Sequence, residues 1–286
     1  MSTAPPTSPK SVVVGLDQSA GARAALDWAA AEAVLRGAPL LIATAWTGMD
    51  REEYEPNIAD PVHRAAVTFV EEAAADMRAR HSGLDVDTSL MTEDPVGGLI
   101  RLAQDADLLV VGRRGLNALQ ILLLGSVSQQ LVAHSPVPVA VVPENSPATA
   151  ADAPVVVGAA RELTEPLDFA FAEARTRGAP VVAVRAWSMS NPYLAAMADA
   201  VDQLQAEEGR ELESLVEAAK LRHPAVEVST RVEFASPEAA LIEASEGAAL
   251  VVVGRHRRHS RYGLPIGRVP HKVLHLSDLP VVVVPN

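Results

Sequence analysis

Asp107-Leu108-Leu109-Val110-Val111-Gly112-Arg113-Arg114-Gly115, followed nine residues later by Gly125-Ser126, is the stretch that sets the fold. Its first part is a short apolar run, the pattern of a strand buried on both faces. Glycine lets a backbone approach a ligand closely and opens positive φ. A Gly-Ser pair opening a helix presents free N–H groups and a hydroxyl to an anion. Strand, glycine turn, loop and glycine-capped helix together read as a phosphate cradle, with Arg113 and Arg114 available to balance phosphate charge.

Working outward, the same order of signals runs through the first half of the chain. Strands are expected at Val12–Leu16, Leu40–Trp46, Leu84–Met91, Asp107–Val111 and Val137–Val142. Helices are expected at Ala22–Arg36, stopped by Gly37, at His63–His81, at Val96–Gln104 behind an Asp-Pro start, and at Ser126–His134. Val67, Val70, Ala74 and Met77 are expected on one face of the second helix. Alternating strand and helix implies a parallel sheet covered on both faces, with right-handed crossovers. Five such strands form an open, doubly wound, Rossmann-like sheet that binds ligands where the strand order reverses. The end of the first strand, Gly15-Leu16-Asp17-Gln18-Ser19, and the Gly112 turn would then border one crevice.

The second half repeats the first. Val12-Val13-Val14-Gly15 returns as Val155-Val156-Val157-Gly158, and Arg36-Gly37-Ala38-Pro39 as Arg177-Gly178-Ala179-Pro180. Trp46 returns as Trp187, Asp94-Pro95 as Ser236-Pro237, and Val110-Val111-Gly112 as Val252-Val253-Gly254. Matches in one order at an offset of 141 to 143 residues mean duplication. The expected domains are 10–143 and 154–286, joined by the Ser-, Pro- and Ala-rich linker Glu144–Pro154.

Composition bounds the function. The 286 residues are 49% hydrophobic and 21% charged, with a net charge of −12. So acidic a chain is poorly suited to general nucleic-acid binding. The absence of cysteine removes disulfides and thiolate chemistry, which fits a cytoplasmic setting. No run reaches the ~18 apolar residues of a membrane span. Met1–Lys10 reads as a short tail without a signal sequence.

A strand ending in G-x-D-x-S, with a later G-x2-G-x9-G-S opening a helix, resembles the universal stress protein family in its tandem two-domain form. The resemblance covers both halves, about residues 10–143 and 154–286. It implies two five-stranded sheets of order 3-2-1-4-5, related by a pseudo-twofold. Their terminal strands would pair antiparallel, making one chain a built-in dimer that can pair again as a homodimer. In the ATP-binding branch of the family, positions matching Asp17, Gly112, Gly115, Gly125, Ser126 and Val127 line the nucleotide site. A backbone position on the second strand, Ala43 or Thr44 here, meets the adenine. The candidate ATP-binding residues are thus Gly15, Asp17, Thr44, Gly112, Arg114, Gly115, Gly125, Ser126, Val127 and Ser128. Asp17, repelled by phosphate, is expected to meet ribose, adenine or a bound Mg²⁺.

The copy departs from this pattern. Ala160 stands opposite Asp17, Glu162 opposite Ser19, Arg257 opposite Gly115 and Arg268 opposite Ser126, while Gly267 keeps the place of Gly125. ATP is therefore expected in the first domain only, and Pro265 and Pro270 further alter the second. The expected role is a nucleotide-dependent sensor or regulator in stress response or growth arrest. No catalytic set is visible: there is no Walker lysine and no Ser-His-Asp arrangement. A ligand-free dimerisation scaffold and a slow ATPase or adenylyl-transferring enzyme are the competing readings.

Four other features carry blander readings. The basic run Arg255–Arg261 is taken as a solvated loop. His271 and His275 have chelating spacing but no further ligand, so no metal site is expected. Trp46 and Trp187 are read as core or rim packing rather than base-stacking. Asp50–Pro61 is read as an ordinary surface connection.

Overall fold

Val12, Val13 and Val14 are fully buried, and so are Leu108, Leu109 and Val110 beside them. These two strands form the middle of the first sheet. Branched side chains fill both faces, each removing roughly 1.5–3 kcal/mol worth of apolar surface from water. The computed structural model describes residues 10–46, 61–113, 124–161, 163–188, 198–255 and 266–286. Arg114, Gly115, Glu162, Arg257 and Pro265 lie outside the described residues, as do the 1–9 tail, most of the Asp50–Pro61 connection and the 256–261 part of the basic run.

The chain divides into two compact units, Met1–Asn145 and Ser146–Asn286. The first runs β1 (Ser11–Gly15), α1 (Ala20–Arg36), β2 (Leu40–Ala45), α2 (Pro61–Arg80), β3 (Val86–Met91), α3 (Pro95–Ala103), β4 (Ala106–Gly112), α4 (Ser126–His134) and β5 (Val139–Val142). Its strands lie in the order β3-β2-β1-β4-β5, all neighbours parallel. β1 and β4 are therefore adjacent, and the connections leave them toward opposite edges. That is the switch point at which open α/β sheets take ligands.

The second unit runs β6 (Val155–Gly158), α5 (Glu165–Arg177), β7 (Val181–Trp187), α6 (Ala198–Lys220), β8 (Val228–Phe234), α7 (Pro237–Ala244), β9 (Leu250–Arg255), α8 (Arg268–Leu276) and β10 (Val281–Pro285). Its order, β8-β7-β6-β9-β10, is the same topology with β6 and β9 at the centre.

Local chemistry explains the element ends. Gly37 and Gly178 close α1 and α5 in the left-handed region, at φ 60° and 67°. Each returns its N–H to carbonyls of the last turn. One turn before each glycine sits a buried ion pair, Glu32–Arg36 at 2.5 Å and Glu173–Arg177 at 2.6 Å. The duplicated sequence is thus E-x3-R-G-A-P, with the glutamates buried inside it. Asp94 caps α3, accepting the N–H groups of Val96 and Gly97 at 3.0 Å. Ser236 repeats the role on α7 through Ala239. Both caps are followed by proline at the first helical position, where its missing N–H costs nothing.

Helix α2 differs in one respect from the sequence reading. Val70, Ala74 and Met77 are buried, but Val67 is 38% exposed. The apolar stripe is narrower than the spacing suggests because the helix covers the sheet only along its C-terminal half.

Asp94→Ala should lower unfolding free energy by about 0.5–2 kcal/mol, the usual cost of a lost N-cap. Urea unfolding of the two chains would measure it.

Candidate functional site

At the exit of β1 the chain makes a small, self-satisfied turn. One carboxylate oxygen of Asp17 accepts the N–H of Ser19 at 3.0 Å and its hydroxyl at 2.5 Å. The Ser19 hydroxyl oxygen then accepts the N–H of Ala22 at 3.1 Å and caps α1. The D-x-S signature therefore has a folding role: it aims the start of α1. Asp17 is half-buried, with that carboxylate oxygen already engaged.

β2 is tied to this turn. Leu16 donates its N–H to the Ala43 carbonyl, and the Thr44 hydroxyl donates to the Leu16 carbonyl, both at 2.8 Å. Ala43 is fully buried, while Thr44 retains 7% exposure.

β4 ends against α1. A Cβ on Gly112 would stand 2.7 Å from the carbonyl carbon and oxygen of Gly21 and 3.0 Å from the Ala22 nitrogen. These are backbone atoms and cannot swing aside. Gly112 does not occupy the left-handed region, so close approach and not positive φ demands glycine here. Gly21, which sequence reasoning passed over, is the other half of the contact. A glycine in the first turn of a helix, facing a glycine at a strand end, is the signal that could have found it. Gly15 is tight for a similar reason, with Leu99 of α3 at 2.9 Å from a notional Cβ.

The loop that follows β4 is pinned at its base. Arg113 donates its N–H to Val142, and Gly125 donates its own to the Arg113 carbonyl, each at 2.9 Å. Gly125 then caps α4 in extended conformation, at φ −62° and ψ 148°. Ser128 is buried and donates its hydroxyl to the Gly112 carbonyl at 2.7 Å, fixing the first turn of α4 to the end of β4. Ser126 is exposed, Val127 is half-buried, and no acidic residue occupies this first turn. The opening N–H groups of α4 have no acceptor within the helix, and its dipole favours an anion there.

The structure therefore brings Gly15, Asp17, Thr44, Gly112, Gly125, Ser126, Val127 and Ser128 to the C-terminal ends of β1, β2 and β4 or to the start of α4. Gly15, Gly112 and Ser128 serve packing and positioning. Ser126 and Val127 open α4, where the backbone N–H groups have no acceptor within the helix.

The copy is built differently at the same place. Thr164 caps α5 without a side-chain hydrogen bond, and α5 begins at Glu165. The residues before it form a single bridge between Ala160 and Leu163. Leu163 and Pro166 side chains, not a helix backbone, crowd Gly254, at 2.6 and 2.8 Å from a notional Cβ. Gly267, unlike Gly125, is held at φ 82°. Pro270 removes one of the free N–H groups at the start of α8.

Among the described residues no group of three His, Cys, Asp or Glu could hold a metal. His271 and His275 stack at 4.4 Å, and Nδ1 of His275 bonds the His271 carbonyl. Burial, then the neighbouring His275, hold His271 below the ordinary imidazole value. Trp46 packs edge-on against His63, and Trp187 against Phe234. Among the described residues no helix is long and apolar enough to cross a membrane.

The model of the Universal stress protein family matches residues 9–143 and again 155–285. The chain belongs to the universal stress protein family. It is 32% identical over 294 residues to a universal stress protein of Mycobacterium tuberculosis, covering 97% of this chain and 98% of that one. A universal stress protein of Mycolicibacterium smegmatis is 33% identical over 286 residues, with 96% of each chain covered. Among solved structures, a universal stress protein of Archaeoglobus fulgidus superposes with a TM-score of 0.69 at 18% identity, covering 98% of this chain and 97% of that one. That likeness speaks to the tandem α/β fold alone.

Gly112→Ala should destabilise the first unit by about 1–3 kcal/mol, as overpacking against a fixed backbone does. Thermal unfolding followed by circular dichroism would show a lower midpoint, with Gly125→Ala as a milder comparison.

Proposed function

We propose that the first unit, residues 10–143, binds ATP or a related adenine nucleotide and that the second, residues 154–286, is its degenerate partner. The supporting observation is the start of α4. Its opening N–H groups, which have no acceptor within the helix, stand beside the β1–β4 switch point, with an exposed Ser126 and no carboxylate in the first turn. Phosphates would take these amides, with Arg114 and Gly115 completing the cradle from the loop. The base would lie toward Thr44, whose neighbour Ala43 already has its carbonyl engaged. Asp17 would meet the ribose or a nucleotide-bound Mg²⁺ without leaving its capping bonds. On this reading the chain is a nucleotide-dependent sensor or regulator in stress response or growth arrest, acting in the cytoplasm as a homodimer. It is a binding protein first, with slow ATP hydrolysis at most.

The ligand-free scaffold is the reading to beat, because packing alone accounts for Gly112 and capping alone accounts for Asp17 and Ser19. Ser126→Glu separates the two. A carboxylate in the first turn suits the helix dipole by about 0.3–1 kcal/mol, so stability should hold or rise. The same charge would face bound phosphates, and ATP affinity should fall about tenfold or more, equivalent to about 1.4 kcal/mol. Calorimetric titration of both chains with ATP reads this directly. Wild-type protein that neither carries nucleotide on purification nor binds added ATP would leave the scaffold standing.

A further inference from the structure

Strand β8 is an edge of the second sheet. Among the described residues it pairs with β7 alone, in seven consecutive parallel steps from Val228 to Phe234 without a bulge. It holds no proline and no lysine, and Ser229, Thr230, Arg231, Glu233 and Phe234 are exposed. Its counterpart in the first unit, β3, is better covered, with Val86 and Met91 buried at its two ends. A long regular edge is a template for another strand, and natural edges are usually shortened, bulged or covered.

Backbone alternation shows what this edge offers. Glu227 turns its carbonyl to the N–H of Val181 on β7, at 2.8 Å. Successive residues turn their N–H and C=O groups to opposite sides, so Val228, Thr230, Val232 and Phe234 present theirs to the open edge. Side chains alternate as well. Val232 lies over Gly209 of α6, and Phe234 packs on Trp187. Thr230 shares their face, while Ser229, Arg231 and Glu233 share the other. Among the described residues neither Arg231 nor Glu233 forms an ion pair within its own chain.

A second copy of the same strand is the occupant that fits. Two identical edges joined in one sheet run antiparallel about a twofold axis normal to it, and the axis passes through one residue. Centring on Arg231 or Glu233 sets like charges face to face, and centring on Thr230 sets Glu233 against Glu227. Centring on Phe234 carries Arg231 past the strand end to Pro237. Centring on Val232 sets Arg231 opposite Glu233 of the partner subunit, twice by symmetry. Thr230 then faces Phe234, a β-branched against an aromatic side chain, and Val232 faces its own copy. All of these are favourable cross-strand pairs. Thr230, Val232 and Phe234 make the hydrogen-bonded pairs. Arg231 and Glu233 fall at the non-hydrogen-bonded positions, where side chains approach more closely.

We propose that β8 is the homodimer interface: two copies of this chain join their second sheets edge to edge, antiparallel, with the twofold axis at Val232. The proposal rests on the homodimer put forward above and is independent of nucleotide binding in the first unit.

Sedimentation equilibrium of the full-length chain tests this. Wild type should be a dimer that dissociates on dilution. Glu233→Arg and Arg231→Glu each set like charges opposite one another and should weaken association about tenfold or more. The double variant restores opposite charges and should restore the dimer. Both side chains are exposed, so the thermal midpoints of dilute samples should stay near wild type. The chain has no cysteine, so Val232→Cys places a single thiol at the axis. Paired Cα atoms there stand about 5.5 Å apart, within disulfide reach, and mild oxidation should give a covalent dimer. Ser229→Cys, about 20 Å from its copy in this register, should not cross-link. ATP titration reads the nucleotide site separately, since the double variant should dimerise whether or not ATP binds. A wild-type chain monomeric through the micromolar range, a dimer indifferent to both single charge reversals, a double variant as weak as the singles, or cross-linking at Ser229→Cys in preference to Val232→Cys would each overturn the proposal.

Discussion

The end of β4 and the start of α1 meet backbone to backbone, and the first unit is arranged around that contact. Gly112 leaves no room for a side chain against Gly21. This closeness sets the depth of the crevice at the sheet's C-terminal edge. It also fixes α4, because Ser128 bonds the carbonyl of the same Gly112. Asp17 and Ser19 orient α1 from the other side. A helix dipole can only act on an anion if the helix is held still, and these few bonds hold it.

The copy meets the same constraint by another route. It keeps glycine at 254 but fills the space beside it with the side chains of Leu163 and Pro166. The first turn of the helix is lost, and a wall of side chains takes its place. Arg185 then enters where a small hydroxyl stood, held between Glu208 and Glu211. Duplication left the sheet and its caps alone and rebuilt the floor of the crevice. The two crevices therefore differ in their side-chain chemistry on one topology, and function resides in the site and not in the fold.

Much of this was legible from residues. Valine runs bounded by glycine and proline announced the strands, because a strand buried on both faces needs no alternation. Asp94-Pro95 and Arg36-Gly37 marked helix ends, because caps are local chemistry. The doubling of the chain was plain in its order of motifs. What stayed hidden was tertiary. Gly112 read as a ligand-facing glycine, and the approach of Gly21 supplies a packing reason for its lack of a side chain that no local pattern announced. Asp17 read as a ligand-facing acid, while its bonds to Ser19 serve α1. Arg185 carried no signal at all, since a lone arginine in a strand gains meaning only when two glutamates from α6 hold it.

The bond from Gly125 to the Arg113 carbonyl joins the two ends of the intervening loop at a single point. Chain added between two fixed ends costs only about 0.6 kcal/mol per doubling of loop length. The fold's own demand thus falls on the two ends, Arg113 and Gly125, and leaves the spacing between them to be set by whatever the crevice holds.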